Sequence, residues 1–156
     1  MLDLKLMGKA AYFYNIGHMC VPMDCYINRN QSLANTEIYQ QHTVMGAKII
    51  RLNEAGNCKH FTKICAEICM HHHERYDGKG FPHGLDGDDN QIYSQVCGFA
   101  VQFDRLFNPR PEYNDMQFDF VLNEMKRDRG AFSPELYDLA EKCRYEIFNY
   151  YRGLEV

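Results

Sequence analysis

The chain has 156 residues, the length of one domain, and its 46% hydrophobic and 24% charged residues supply an ordinary globular core. Seventeen Lys+Arg against 21 Asp+Glu leave a net charge of -4 with His neutral, which excludes a broad DNA-binding face, since that needs an excess of cations to displace counterions. No apolar run approaches the ~18 residues of a membrane span, and the start, Met1-Leu2-Asp3-Leu4-Lys5-Leu6, lacks the basic-then-apolar order of a signal peptide. The cytoplasm is therefore the expected compartment.

Seven cysteines, at positions 20, 25, 58, 65, 69, 97 and 143, are odd in number and follow no repeating spacing. Reduced thiols filling a helical core fit them better than a disulfide scaffold.

Apolar spacing is helical almost throughout, which predicts an all-α domain of five to six helices spanning 1–156. Leu4, Met7, Ala11 and Phe13 mark a first short helix, closed around Ile16-Gly17. Pro22 and the polar stretch Asn28-Arg29-Asn30-Gln31-Ser32 read as a loop. Asn35 is a capping residue for the next helix, with Glu37 in its positive first turn. Ile38, His42, Met45, Ile49 and Leu52 form one stripe on that helix, which Gly56 and Asn57 end. A third helix carries Phe61, Cys65, Ile68 and His72 on one face. Asp77 to Gly87, with four glycines and Pro82, is a long structured loop whose acidic end, Asp86 to Asp89, reads as a solvated turn. Ile92, Val96, Phe99, Phe103 and Leu106 set the next helix, broken at Asn108-Pro109-Arg110-Pro111. Asp115 to Arg127 is helical, and Ser133-Pro134 starts a last helix that buries Leu136, Leu139, Cys143, Ile147 and Tyr150.

The strongest chemical signal is His71-His72-His73-Glu74 at the end of an apolar helix. Imidazole is the commonest neutral nitrogen ligand, and adjacent histidines at a helix end can face one ion. His42 adds to it, because an unpaired imidazole on an apolar stripe is costly. Two readings stay open for His42: a ligand, or a core histidine donating to a backbone carbonyl. Cys65 and Cys69, one and two turns before His72, offer an alternative Cys-Cys-His zinc set.

The run His72-His73-Glu74-x-x-Asp77-Gly78-x-Gly80-Phe81-Pro82 resembles the signature of the HD-GYP family, a branch of the HD-domain metallophosphohydrolases. Ala10-Ala11 through Ile16-Gly17 and Val21-Pro22, His42 with Gly46-Ala47, Phe103-Asp104-x-Leu106 and Arg110-Pro111 extend the likeness over most of 4–150. The resemblance implies an all-helical fold, a metal centre and hydrolysis of cyclic di-GMP. It assigns His42, His72 and His73 as metal ligands. Glu74, Asp77, Gly78, Gly80, Phe81, Pro82, Asp104 and Arg110 become supporting or loop residues.

Departures from the family pattern matter as much. Where the family has His-Asp-Ile-Gly-Lys, this chain has Tyr14-Asn15-Ile16-Gly17-His18, and a later metal Asp falls on Val101. The chain also starts after the upstream helix that carries further ligands in many members. Paired dications need anionic bridges, and the retained candidates are neutral imidazoles. The expectation is a degenerate domain holding at most one Fe, Mn or Zn ion, weak or inactive as an enzyme. It would act in cyclic di-GMP-related signalling or bind a protein such as a diguanylate-cyclase-type domain. The alternatives are a phosphohydrolase with a reduced metal site, or a purely structural metal. The aromatic end, Tyr145, Phe148, Tyr150 and Tyr151, is a core helix that also offers a homo-oligomer contact.

Overall fold

The computed structural model describes residues 4–27, 37–53, 58–108 and 114–153. These form α1 (Leu4–Ala11), α2 (Asp24–Ile27), α3 (Glu37–Leu52), α4 (Lys59–His71), α5 (Ile92–Phe107), α6 (Asp115–Arg127), α7 (Pro134–Lys142) and α8 (Arg144–Gly153). Short 3-10 turns cover Ile16–Cys20 and Gly87–Asp89. Among the described residues there is no strand, only an isolated bridge between Asp77 and Asp86. The all-α expectation holds. The expected loop at Asn28 to Ser32, the Asn35 cap, the stop at Gly56-Asn57, and Pro109, Arg110 and Pro111 lie outside the described residues.

The chain divides into two compact units, Met1–Cys97 and Gly98–Val156. In the first, α3 runs against α4 and against the Ile16–Cys20 turn. Ala47, Ala66, Cys69 and Met70 form the buried centre, with Ile16, Val44 and Ile50 packed on it. Small residues decide this arrangement. A Cβ on Gly17 would stand 1.8 Å from the His42 carbonyl oxygen and 2.5 Å from the Gly46 nitrogen. The two backbones therefore touch, and only hydrogen atoms fit between them.

That close approach corrects the stripe read on α3. The buried residues are His42, Thr43, Gly46 and Ala47, while Ile38 and Leu52 are exposed. The face that meets a neighbour is the one with the smallest side chains, so apolar bulk alone pointed about one residue to the side. Likewise α1 buries Ala10, and Leu4 is exposed. On α4 the expected face is right, with Cys65 and Ile68 fully buried and His72 capping the helix end. Burial raises the thiol pKa to about 11 at Cys65 and about 12 at Cys69 and Cys97, so all three stay protonated.

The second unit is built on aromatic rings. Phe107 is fully buried, with Phe103 5.0 Å and Tyr151 4.9 Å away between centroids. Phe118 meets Phe148 edge-on at 5.5 Å. Asn114 caps α6 by accepting from the Gln117 backbone N–H at 2.9 Å. The predicted last helix is two helices: α7 ends at Cys143, whose N–H turns back to the Leu139 and Glu141 carbonyls, and α8 starts afresh. The stripe shifts with the break. Leu136, Tyr137, Ala140, Phe148 and Tyr151 are buried, whereas Leu139 and Tyr150 are exposed. Arg144 covers the Phe118 ring and binds Asp115, Asp119 and Glu141.

Gly17→Ala should destabilise the fold by about 3 kcal/mol or more, because the clash is with backbone that cannot rotate away. Urea unfolding followed by circular dichroism measures it, and an unchanged midpoint would contradict the close approach.

Candidate metal centre

The last turn of α4 ends in three consecutive imidazoles, and α3 brings a fourth beside them. His42, His72 and His73 each present a ligand atom, and these atoms all lie within 4.8 Å of one another. The orientation follows from the backbone. His42 Nδ1 lies 2.6 Å from the Tyr39 carbonyl oxygen. His72 Nδ1 lies 2.9 Å from that of Ile68 and 3.1 Å from that of Cys69. A carbonyl only accepts, so both Nδ1 atoms carry the proton and both Nε2 atoms present lone pairs. These two Nε2 atoms are buried and have no hydrogen-bond partner among the described residues. The backbone-carbonyl reading of His42 thus holds on Nδ1, and its Nε2 is left with a lone pair.

Burial keeps these rings neutral. It lowers the pKa of His42 to about 4 and that of His72 to about 3, with neighbouring imidazoles adding to the effect. The buried, unprotonated Nε2 atoms of His42 and His72, with a ligand atom of His73 beside them, stand at a spacing that fits one divalent transition-metal ion. Each of the first two has its far N–H held by a carbonyl, as in well-oriented metal-ligating imidazoles. Among the described residues no carboxylate joins this cluster. Cys65 and Cys69 do not join it either. The Cys69 thiol donates to the Phe13 carbonyl at 3.1 Å, and burial disfavours the thiolates a metal would need.

Two of the substituted positions touch the cluster. The Tyr14 ring meets His72 edge-on at 5.1 Å, and the His18 ring stacks on His42 at 4.3 Å. Between them in sequence, Asn15 has a buried Oδ1 with no hydrogen-bond partner among the described residues. Burial also lowers the His18 pKa. Tyr39, which the sequence did not single out, stands 4.7 Å from His42 and 5.6 Å from His18. Its place one turn before His42 on α3 was the available signal.

The loop after the histidines is held by its own acids. The buried Glu74 carboxylate accepts the backbone N–H groups of His83 at 2.7 Å and Leu85 at 3.0 Å. Asp77 accepts from Arg75 Nε at 2.9 Å and from the Lys79 N–H at 3.1 Å. These bonds, Arg75 foremost, hold the Asp77 carboxyl well below the usual carboxylate range. Gly78 adopts φ 72°, the left-handed region, and a Cβ on Gly80 would stand 2.4 Å from the Arg75 nitrogen. Phe81, followed by Pro82, lays its ring on His73 at 4.5 Å. Val101 and Asp104 belong to the second unit, where Asp104 accepts from the Tyr151 hydroxyl at 2.6 Å.

Residues 3–136 match the HD domain family. The chain belongs to the HD domain family. A cyclic di-GMP phosphodiesterase response regulator of Xanthomonas campestris pv. campestris is 26% identical over 93% of this chain and 38% of its own length. A cyclic di-GMP phosphodiesterase of Thermotoga maritima is 32% identical over 74% of this chain and 31% of its own. A 3'3'-cGAMP-specific phosphodiesterase of Vibrio cholerae is 26% identical over 88% of this chain and 26% of its own. This HD domain thus spans about a third of the length of these relatives, and the match agrees with the HD-GYP likeness of its motifs. Among the described residues, no helix is long and apolar enough to cross a membrane.

Two outcomes follow. In chelator-treated protein, stability should fall as pH drops below 6.5. The unfolded chain then takes up protons that His42 and His72 refuse until about pH 4 and 3. The melting temperature should drop on the order of 10 °C between pH 7 and 5, and His42→Gln should flatten that slope. Separately, Glu74→Gln should cost ~2 kcal/mol, since an amide cannot accept both loop N–H groups. Hydrogen exchange at the His83 and Leu85 amides should speed up first.

Proposed function

We propose that this HD domain works in cyclic dinucleotide signalling as a degenerate HD-GYP-type module, binding one divalent metal ion at most and turning over little or no substrate. The observation that carries the reading is the all-imidazole cluster: three imidazole nitrogens converge and no described carboxylate converges with them. Two adjacent cations would repel each other there without an anionic bridge, and a bridged activated water would have no second ion to share. Asn15, in the place of the family's aspartate, is uncharged, and Tyr14 puts a phenol where the family has an imidazole.

Of the ions expected, Fe and Zn suit imidazole donors better than Mn, and His42, His72 and His73 would hold the ion. When bound, such an ion supplies Lewis acidity to a ligand phosphate; the chain's own residues orient it through the Tyr39, Ile68 and Cys69 carbonyls. The substrate class comes from the relatives, whose names specify cyclic di-GMP and 3'3'-cGAMP. The loop carrying Gly80, Phe81 and Pro82 keeps its backbone constraints, which suits a surface that a diguanylate-cyclase-type partner could engage in the cytoplasm.

Purified protein loaded with Mn²⁺ or Fe²⁺ and incubated with cyclic di-GMP and with 3'3'-cGAMP tests the reading. The expected result is at most one metal per chain at the imidazole cluster, removed by His72→Ala, and hydrolysis within the background of the metal-free sample. Robust turnover with two ions at that cluster would overturn it, and turnover with one would favour a reduced-site phosphohydrolase.

A further inference from the structure

A second pair of imidazoles lies on α4 and the following loop, outside the cluster just described. His71 Nδ1 is 3.0 Å from Glu67 Oε2, and His71 Nε2 is 3.1 Å from His83 Nδ1. Proton bookkeeping orders this chain. The Glu67 carboxylate only accepts, so His71 Nδ1 carries a proton, and in the neutral ring Nε2 is a lone pair. With His71 neutral, His83 Nδ1 donates to that lone pair. His83 is exposed and His71 is partly buried. Shifting one proton from Nδ1 to Nε2 of His83 leaves a lone pair on each of two nitrogens 3.1 Å apart.

We propose that His71 Nε2 and His83 Nδ1 form a second metal site, for a divalent ion of the zinc and copper class. Two ligands at ~2.0–2.1 Å from one ion stand about 3.1 Å apart when the angle at the metal is near 100°, within the tetrahedral range. Glu67 stands where metal-bound histidines commonly keep a carboxylate, on the nitrogen turned away from the ion, fixing the ring and raising its basicity. Water fills the remaining positions, because His83 lies at the surface. The two ligands come from different elements, the end of α4 and the loop after Phe81. An ion here pins that loop to the helix. The loop's amide at His83 is already held by Glu74, so the ligand is positioned before any ion arrives.

Zn²⁺ titration of the full chain against a chromophoric chelator, with elemental analysis after dialysis, tests this. The expected result is a weaker class of Zn²⁺ that His83→Ala removes and His72→Ala spares. Glu67→Gln should weaken it about tenfold. His83→Ala alters an exposed side chain, so its fold is expected intact and circular dichroism checks that. A weaker class unchanged in His83→Ala, or no such class in the wild type, overturns the proposal. If the inner cluster takes no ion, His72→Ala changes nothing while His83→Ala still abolishes binding, which separates failure of the inner reading from failure of this one.

Discussion

Two protons held by backbone carbonyls govern this site. The Nδ1 hydrogens of His42 and His72 are committed to Tyr39, Ile68 and Cys69, so the opposite nitrogens have one role left. Because the Ile16–Cys20 turn is pressed on α3 through Gly17 and Gly46, and α4 packs on α3 through Ala47, Ala66 and Cys69, the rings cannot retreat to relieve their buried lone pairs. Burial then removes the other escape, since protonating either ring inside the fold is costly. A close-packed helix pair, a fixed tautomer and a buried surround together leave two lone pairs with no donor in reach among the described residues.

What the site lacks is equally physical. A carboxylate could neutralise a second cation, whereas Asn15 brings a dipole. Tyr14 fills its place with a ring edge against His72, and His18 stacks on His42. Tyr14 and His18 thus put aromatic walls against the imidazoles. The loop responds to different forces. Glu74, Asp77, Gly78 and Gly80 organise its backbone through hydrogen bonds and turn geometry of their own.

Much of this was readable in the residues. The histidine cluster and the helical class follow from imidazole spacing and apolar periodicity, while the choice of His42, His72 and His73 and of the loop acids came from the family resemblance; the structure brings those three imidazoles within 4.8 Å of one another. The shifts came where small residues replaced large ones at contacts. On α3 the contact face is Gly46-Ala47, invisible to a count of apolar bulk, and on α8 the register resets after Cys143. Tyr39 was missed because its contribution to His42 is a carbonyl oxygen, which every residue owns. The Glu67–His71–His83 line needed the fold of the loop, since twelve positions separate its two imidazoles.

The buried sulfur has a consequence of its own. Cys65, Cys69 and Cys97 are buried and hold their protons firmly, while Cys20 and Cys58 lie exposed. An alkylating reagent at neutral pH therefore distinguishes skin from interior, and each opening of the α3–α4 pair would uncover fresh nucleophiles. The molecule carries its own internal gauge of breathing, written in thiols rather than in any added label.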